Sequence, residues 1–444
     1  MHRNKRILAL IVAFVHTGLV GQAQSPIDQY VRWAVDSNLA LRQHHFSLEK
    51  GKAALWEAKR LFYPSVDLRA DYTLAGGGRT IDLPLGDLLN PVYSTLNQLT
   101  ASDKFPTLRN ESVLLNPHNF YDVKVRTSGV IYSPELKLNQ SIKQQQVELQ
   151  QIEIEKFKRE LKQQVQVAYY GYQQAYEAVG IYREAIRLLQ EQQRVNESLY
   201  RNGKANRTAA IRAGSEVEQM QATLVQAEAN RVQAAAYFNF LLNRGLRDSI
   251  VMAIDSVDGK RALPMLNQTE AEEAKLVQQG EQLLRTQLQL VQSNAKPRVQ
   301  AFLDLGSQAF GVVNRQSWYY LAGISLQWNL FNFKRQDARK QQVNADLGAM
   351  QTRTLEVKKQ LELRYIVALE SFEAADQKHL ADRARVQALS RYYQDMFHTY
   401  KQGQALYIEL LDAQQQFTQA QIQSSISKAN RQSKWADLER AAIR

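Results

Sequence analysis

Four segments of this chain alternate apolar and polar residues, which is the pattern of β-strands that have two different faces. Each segment is about ten residues long, the length of a strand that crosses a membrane. In the second segment, for example, Val123 and Val125 alternate with Lys124 and Arg126. The third segment alternates less regularly than the other three. The four predicted strands are 66–74, 122–131, 299–308 and 322–330.

Aromatic residues cluster at the ends of these predicted strands, as expected of a belt at a membrane–water interface. A half-buried sheet in a soluble domain is the alternative that the strands alone leave open. The strands form two hairpins, and the loop of the first is long, from about 75 to 120, with Gly76–Gly78 indicating a flexible external connection. The predicted belt residues are Tyr63, Tyr121, Tyr132, Trp318, Trp328 and Phe331.

Long helices are predicted after each hairpin. No proline lies between Pro134 and Pro264 or after Pro297, and both stretches are rich in residues that favour helix. Each stretch is interrupted once by a Tyr-x-x-Gly element, which gives a helix of about 60 residues, a turn and a helix of about 40, far longer than ordinary globular helices. Apolar residues recur every three or four positions from Leu347 to Phe372. That spacing predicts coiled-coil packing.

The chain is an internal duplication. YRNGKA from Tyr200 and YKQGQA from Tyr400 share the pattern Tyr-x-x-Gly-x-Ala. A further helix precedes each hairpin, at about 27–60 and 268–294. The first repeat is therefore predicted at 24–244, with a hairpin at 64–132 and a turn at 200–206, and the second at 245–444, with a hairpin at 297–331 and a turn at 400–406.

Composition limits where the protein can be located and which chemistry it can perform. Residues 1–23 are predicted to be a secretory signal peptide, because basic residues precede the apolar run from Ile7 to Val15 and a small-x-small site ends at Ala23. The chain contains no cysteine, which excludes disulfides, a zinc–thiolate site and a lipid anchor on cysteine. In an exported protein, the net charge of +12 favours a solvated surface, or one facing anionic lipid, over nucleic-acid binding.

Four strands are too few to close a barrel. In lipid, an open sheet edge leaves backbone N–H and C=O groups unpaired, at a cost of several kcal/mol each. We therefore expect several copies of the chain to pool their strands, and their long helices to pack together in the same assembly. The predicted fold class is an α+β membrane protein in which a β-barrel in the outer membrane continues into a helical barrel.

The order of elements and the sequence YKQGQALYIELLDA from Tyr400 resemble the TolC family of outer-membrane efflux proteins, over essentially the whole chain after the signal peptide. The strand–helix junctions at Trp328–Phe331 and Val130–Pro134 are similar too. The resemblance implies a homotrimer with a shared twelve-stranded β-barrel, four strands from each chain, and a periplasmic α-helical barrel on the order of 100 Å long. It also implies that the helical tip docks with a periplasmic adaptor protein, which joins it to an inner-membrane transporter driven by protons or ATP. The protein itself would be a passive, gated conduit without cofactor or metal.

The resemblance also assigns residues at the tip. The family's acidic positions after the second turn fall on Glu409 and Asp412, which in a trimer would form carboxylate rings that favour cations. The alternative is that they are ordinary acids in a first helical turn, where they complement the helix dipole. Tyr400 matches the tyrosine that helps tie the closed tip. The expected turn and adaptor-docking residues are Tyr200, Gly203, Arg212, Tyr400 and Gly403.

The tip also departs from the family pattern. An acid expected in the first repeat is Ala209, and a basic residue expected after the second turn is Ala405. Arg212 stands where a neutral or acidic residue is usual. The usual polar latch therefore cannot form in its usual way, and pairing of Arg212 with Glu409 or Asp412 is a hypothesis.

Two other function classes compete with the channel. An enzyme has little support, since the sequence holds no HExxH or GxSxG pattern and Gly76–Thr80 lacks the ending of a phosphate-binding loop. A secreted or periplasmic coiled-coil structural protein would explain the helices and the duplication, but not two hairpins of membrane-spanning length. The sequence identifies neither the transported substrate nor the class of transporter.

Overall fold

The computed structural model of the protein describes residues 26–116, 119–204, 206–252, 262–311 and 317–442. The predicted signal peptide, 1–23, lies outside the described residues. The helices are α1 Pro26–Ser37, α2 Leu39–Arg60, α3 Leu85–Thr100, α4 Pro134–Arg201, α5 Arg207–Leu241, α6 Glu272–Ser293, α7 Arg335–Lys401 and α8 Tyr407–Ala442. The strands are β1 Ser65–Thr73, β2 Thr80–Leu83, β3 Glu111–Leu114, β4 Phe120–Tyr132, β5 Arg298–Phe310 and β6 Trp318–Gln327.

Helix α4 has 68 residues and α7 has 67, and each is followed by a shorter helix of 35 or 36 residues. The order of elements thus follows the predicted repeat of helix, hairpin, long helix and shorter helix. None of the helices in the described part of the chain has an apolar stretch of the length that spans a bilayer.

The first predicted helix is wrong in one respect, because it is broken at Asn38. The side chain of Asn38 accepts a hydrogen bond from the backbone N–H of Leu41, at 3.1 Å, and so caps the start of α2. Its amide nitrogen donates to the carbonyl of Leu241, at 3.1 Å, which ties the break to the end of α5.

The long loop of the first hairpin is not an irregular connection. Residues 74–79 are irregular, as predicted, but the loop then forms β2, α3 and β3. Strands β2 and β3 pair antiparallel, with Thr80 opposite Leu114 and Leu83 opposite Glu111. The long loop predicted from about 75 to 120 therefore contains regular structure over 80–114, where backbone pairing and a 16-residue helix hold it together.

The principal sheet has four antiparallel strands in the order β1-β4-β5-β6. The pairs β1–β4 and β5–β6 are the two predicted hairpins. Strands β4 and β5 pair with each other, with Val125 opposite Leu305, and so join the hairpins into one sheet. Strands β1 and β6 are the edges of this sheet. The register shifts once, between Val130 and Tyr132, at the end of β4 that leads into α4.

Two compact units make up the chain. Among the described residues, the first comprises 26–47, 150–278 and 353–442, and the second comprises 48–149 and 279–352. The first unit is helical, and one of its cores packs Tyr30 against Tyr169 and Phe238. The second unit holds both sheets and α3. Each unit takes segments from both predicted repeats. The boundaries of the two units therefore differ from the boundaries of the two repeats.

Candidate functional site

The Tyr-x-x-Gly elements are helix-ending turns with the same backbone geometry. Gly203 has φ +71° and Gly403 has φ +75°, a left-handed conformation that glycine adopts without strain. In each turn the glycine N–H donates to the tyrosine carbonyl at 2.9 Å, and the next N–H donates to the residue before the tyrosine, at 2.8 Å from Lys204 and 3.1 Å from Gln404. This double hydrogen bond is the Schellman motif. It explains why the sequence repeats a glycine three residues after a tyrosine.

The helices that follow the two turns begin differently. In the first, the Asn206 side chain accepts the N–H of Thr208 at 3.2 Å and caps α5. In the second, Glu409 accepts the N–H of Leu406 at 2.8 Å, the backward half of a capping box. Glu409 therefore has a structural role at the start of α8 in addition to any role in the pore. Asp412 is exposed and accepts a hydrogen bond from Gln416 at 2.6 Å.

A single apolar cluster joins the two turns, and we call it the tip cluster. It takes buried residues from the end of α4, the start of α5, the end of α7 and the start of α8. Burial of each large apolar side chain contributes about 1.5–3 kcal/mol, so the cluster fixes the two helical hairpins against each other. Its buried members are Leu189, Ala213, Val217, Tyr393, Tyr400, Tyr407, Leu410, Leu411 and Ala413.

Polar groups lie inside the tip cluster. The hydroxyl of Tyr400 donates to the side-chain oxygen of Asn196, and both residues are buried, at 6% and 0% exposure. Burial raises the pKa of the Tyr400 hydroxyl, so the donor stays protonated at neutral pH. The ring of Tyr407 lies 6.0 Å from that of Tyr400, and burial, with the nearby charge of Glu216, raises its pKa to about 12. Its hydroxyl has no hydrogen-bond partner among the described residues.

The two turn tyrosines differ in their surroundings. Tyr400 is buried in the tip cluster, whereas Tyr200 is 45% exposed. Within a single chain, the ring of Tyr200 is therefore not part of the tip cluster. Arg212 is also exposed, and its Nε lies 3.7 Å from Oε1 of Glu216 on the same helix. Its ion-pair partner within the chain is thus Glu216, not Glu409 or Asp412.

One face of the four-stranded sheet is apolar and uncovered. The register sets Leu68, Val125, Leu305 and Tyr320 in one row across all four strands. All four are exposed, Leu68 to the extent of 74%. Uncovered apolar side chains on every strand are unfavourable in water. This face needs an apolar environment that a single copy of the chain does not supply.

The opposite face of the sheet carries charges in defined pairs. Arg126 donates to Asp304 through Nε and Nη2, at 2.6 and 2.7 Å, in the two-point geometry that suits a guanidinium and a carboxylate. Asp304 is 1% exposed, so the pair is desolvated on one side. Asp122 contacts Lys124 and accepts from the Tyr319 hydroxyl at 2.9 Å. The sheet therefore separates an apolar face from a charged one.

Five of the six predicted belt residues are exposed and lie at a strand end or up to four residues beyond one, and the sixth is buried. Tyr121 is 5% exposed, and its hydroxyl lies 3.1 Å from that of Ser307. Its prediction as an exposed belt residue was therefore wrong within one chain, because its side chain is buried beside strand β5. The exposed residues are Tyr63, Tyr132, Trp318, Trp328 and Phe331.

Solved structures of outer-membrane channels share this architecture. CusC aligns with a TM-score of 0.77 and 14% identity, over 94% of this chain and 92% of that one. MtrE of Neisseria gonorrhoeae, in its open state, aligns with a TM-score of 0.75 and 14% identity, over 94% and 89%. VceC of Vibrio cholerae aligns with a TM-score of 0.72 and 13% identity, over 94% and 95%.

The chain has the fold of an outer-membrane channel protomer. The predicted α+β fold class is confirmed, with four strands in one sheet and two pairs of long helices. No protein-family model and no curated protein matches the sequence.

The structure gives defined surroundings to several polar residues that the sequence analysis did not single out. Asn196, Tyr407 and the pair Arg126–Asp304 were not singled out. The sequence did contain a signal for Asn196. It lies between Leu189 and Leu199 at a position reached by steps of three and four residues, which places it on the same face of the helix as these leucines. A polar residue at such a seam position sets register and partner choice. Among the described residues there is no group of His, Asp and Glu side chains that could hold a metal ion.

Proposed function

We propose that this protein is the outer-membrane channel of a tripartite efflux or secretion system and conducts its cargo passively to the outside of the cell. The observation that carries the proposal is the sheet with one uncovered apolar face and one charged face, in a chain with the channel fold. The apolar face would lie against lipid and the charged face would line a water-filled lumen. The chain holds no cysteine, so the outer-membrane location rests on these strands and not on a cysteine lipid anchor.

The two edges of the sheet support a homotrimer. In lipid, the free edges of β1 and β6 must pair, because every unpaired backbone group there costs several kcal/mol. The edge β1 of one copy would pair with β6 of the next, and three copies would close a twelve-stranded barrel. The smallest closed membrane barrels have about 8 strands. A single copy of the chain, with four strands in its sheet, therefore cannot close a barrel by itself.

The helical tip is proposed as the gate and as the docking point for a periplasmic adaptor protein. Asp412 and Glu409 are exposed next to the second turn and would appear three times around the axis. Such carboxylate rings attract cations. The turns at Gly203 and Gly403, with the exposed Tyr200 and Arg212, would present a rigid surface to the adaptor. Through the adaptor, an inner-membrane transporter driven by protons or ATP would supply energy, and the conduit itself performs no catalysis and needs no cofactor.

Insertion of the purified protein into planar lipid bilayers tests the proposal. We expect an oligomer that requires detergent, dissociates only on heating in SDS and gives discrete conductance steps. A matched pair of variants separates the two faces of the sheet. Leu68→Arg places a charge on the apolar face and should abolish membrane assembly, since Arg near the bilayer centre costs about 2–4 kcal/mol per chain. Arg69→Leu lies on the opposite face and should leave assembly intact.

A secreted or periplasmic coiled-coil rod is the competing function. A protein that stays soluble without detergent, and that tolerates Leu68→Arg as well as Arg69→Leu, would be such a rod. That result would reject the channel.

A further inference from the structure

Helix α3, in the long loop between β1 and β4, packs against its own chain with its polar face. Asn97 donates to the carbonyl of Phe105 at 2.9 Å and accepts its N–H at 3.1 Å. Asn90 makes the same pair of hydrogen bonds with Leu108, at 2.9 and 2.8 Å. The side chain of Asn110 in turn accepts the N–H of Gly86 at 2.9 Å. Three asparagines thus hold the segment 105–110 along one face of α3.

Packing on this face is close. A Cβ on Gly86 would lie 2.6 Å from the carbonyl oxygen of Leu108, so the helix approaches the segment at a point where a side chain does not fit. The ring of Tyr93 lies 5.5 Å from that of Phe105. These contacts fix which face of α3 the chain covers.

The apolar face of α3 points away from these contacts and is uncovered. Leu85, Leu88, Val92 and Leu99, with Thr95 between the last two, follow steps of three and four residues, which is the seam of a coiled coil. Leu88 is 66% exposed and Leu99 is 78% exposed. An amphipathic helix ordinarily buries its apolar stripe in its own domain. In α3 the asparagine contacts hold the polar face against the chain and leave the apolar stripe outside. The stripe is therefore available to pack against another molecule.

The composition of α3 argues against a lipid surface as the occupant. Helices that lie on membranes carry Lys and Arg on their polar face. Helix α3 has one charged residue, Asp87, and no basic residue. The apolar stripe, which is interrupted by the polar Thr95, instead fits packing against the same stripe of another copy of the helix.

The position of α3 relative to the sheet indicates that its apolar stripe packs against other copies of this chain. The loop leaves from β1, which is a sheet edge, at the end of the strand remote from α2. In the trimer proposed above, each copy of β1 borders the next subunit, so the loops stand at the subunit boundaries. The Tyr72 hydroxyl donates to Asn119, and the Asn116 side chain donates to the carbonyl of Gly77 at 3.0 Å, which anchors both arms of the loop to each other and to β1.

We propose that the α3 helices of three subunits pack through Leu88, Val92 and Leu99 into a helical bundle that narrows the outer mouth of the channel. This inference rests on the proposed trimeric channel and adds to it an interface outside the barrel and the helical tip.

Cysteine cross-linking in intact cells tests the bundle, and the absence of cysteine from the sequence gives a clean background. We expect Leu88→Cys and Leu99→Cys to form cross-linked dimers between subunits at least tenfold faster than Ser94→Cys, which is exposed on the flank of α3. All three side chains are exposed in the single chain, so the substitutions do not disturb its fold. Equal rates at the three positions would overturn the bundle.

A second readout separates this inference from the proposed function. The heat-modifiable oligomer is measured in the same samples, and its absence rejects the trimeric channel itself. An intact oligomer without selective cross-linking at Leu88 and Leu99 rejects the bundle alone. Quenching of a fluorophore on Leu99→Cys by a lipid-borne quencher also rejects it, since α3 would then lie on the membrane. If the bundle exists, Leu88→Asp should raise the single-channel conductance, while Ser94→Asp should not.

Discussion

The hydroxyl of Tyr400 donates a hydrogen bond to the side-chain oxygen of Asn196, and this contact joins the two helical hairpins inside the tip cluster. The two residues lie 204 positions apart in the chain and are both buried. A buried acceptor that loses its donor costs about 1–3 kcal/mol, more than the hydrogen bond contributes when both partners are present. The contact is therefore a point at which the packed state of the tip can be weakened selectively.

Tyr400→Phe should loosen the tip cluster, because it leaves the oxygen of Asn196 buried without its donor. We expect a loss of about 1–3 kcal/mol in local stability, seen as faster hydrogen exchange across 189–217 and 393–413. Tyr407→Phe is the matched control, since its hydroxyl has no hydrogen-bond partner among the described residues. It should leave exchange unchanged. Equal acceleration of exchange in the two variants would show that the hydrogen bond to Asn196 is not responsible for the loss.

Removal of the exposed acids after the second turn should reduce cation block of the channel. Asp412→Asn and Glu409→Gln should each weaken block by a multivalent cation at least about tenfold, which corresponds to ~1.4 kcal/mol. Glutamine can still accept the N–H of Leu406, so Glu409→Gln separates the charge from the helix cap. Current recordings with the cation added to the side facing the tip measure the effect. Glu218→Gln, on α5, is the control, and a ring at Glu409 and Asp412 is disproved if this variant has the same effect.

The half-buried carboxylate of Glu273 should make the first unit sensitive to acid. Arg440 donates to it at 2.7 Å and Arg364 at 2.9 Å. Burial alone would raise the pKa of Glu273, but the charge of Arg440 and these hydrogen bonds outweigh it and lower the pKa to about 2. Since the pKa is lower in the folded state than its usual 4.5, the stabilisation is fully present above about pH 4.5. It is lost as the pH falls from there towards 2, and amounts to at most about 3 kcal/mol.

Glu273→Gln tests this linkage. At pH 7 it should lower the apparent Tm, followed by circular dichroism at 222 nm, by roughly 5 °C. The difference from the unmodified protein should shrink as the pH approaches 2, because both side chains are then uncharged. Glu184→Gln removes the partner of Arg187 in an exposed pair and should have little effect at any pH, as such pairs contribute under about 1 kcal/mol. A Tm difference that stays constant with pH would contradict the assignment.

Gly306 should be indispensable to the four-stranded sheet. A Cβ there would lie 2.6 Å from the carbonyl oxygen of Val123 and 2.8 Å from the Cβ of Lys124, on the neighbouring strand β4. Backbone atoms of a paired strand cannot move aside, so Gly306→Ala should sharply lower the yield of heat-modifiable oligomer. Gly348 lies in α7 with open space around it. Gly348→Ala should be neutral or stabilise by up to about 1 kcal/mol, and a similar loss of oligomer in both variants would refute the steric explanation.

Local pattern was sufficient to predict the elements near the tip. A glycine three residues after Tyr200 and again after Tyr400 predicted the turns, since a helix end that closes through a left-handed residue requires glycine. The sequence could not tell that Tyr400 is buried and Tyr200 is exposed, although the two turns share a backbone geometry. That difference depends on which helix lies opposite, and Asn196 is far from Tyr400 in sequence.

The loop between β1 and β4 shows where the sequence pattern misled. Glycines at 76–78 and several prolines indicated an irregular loop. Helix α3 forms nevertheless, and Asn90, Asn97 and Asn110 make hydrogen bonds with backbone groups 18, 8 and 24 positions away. Asparagine has a low helix propensity, so contacts within the fold, and not propensity, decide this element.

The sequence by itself determined the strands, the long helices and the two turns of this protein, because period-two alternation, proline-free helical stretches and turn glycines are properties of neighbouring residues. The tertiary structure alone decided that β4 pairs with β5 and that Tyr121 is buried while Leu68 is exposed. It also decided that α3 packs its polar face against its own chain. These outcomes depend on contacts between residues that are remote along the chain. Their free energies come from burial and from hydrogen bonds that exist only once the chain has folded.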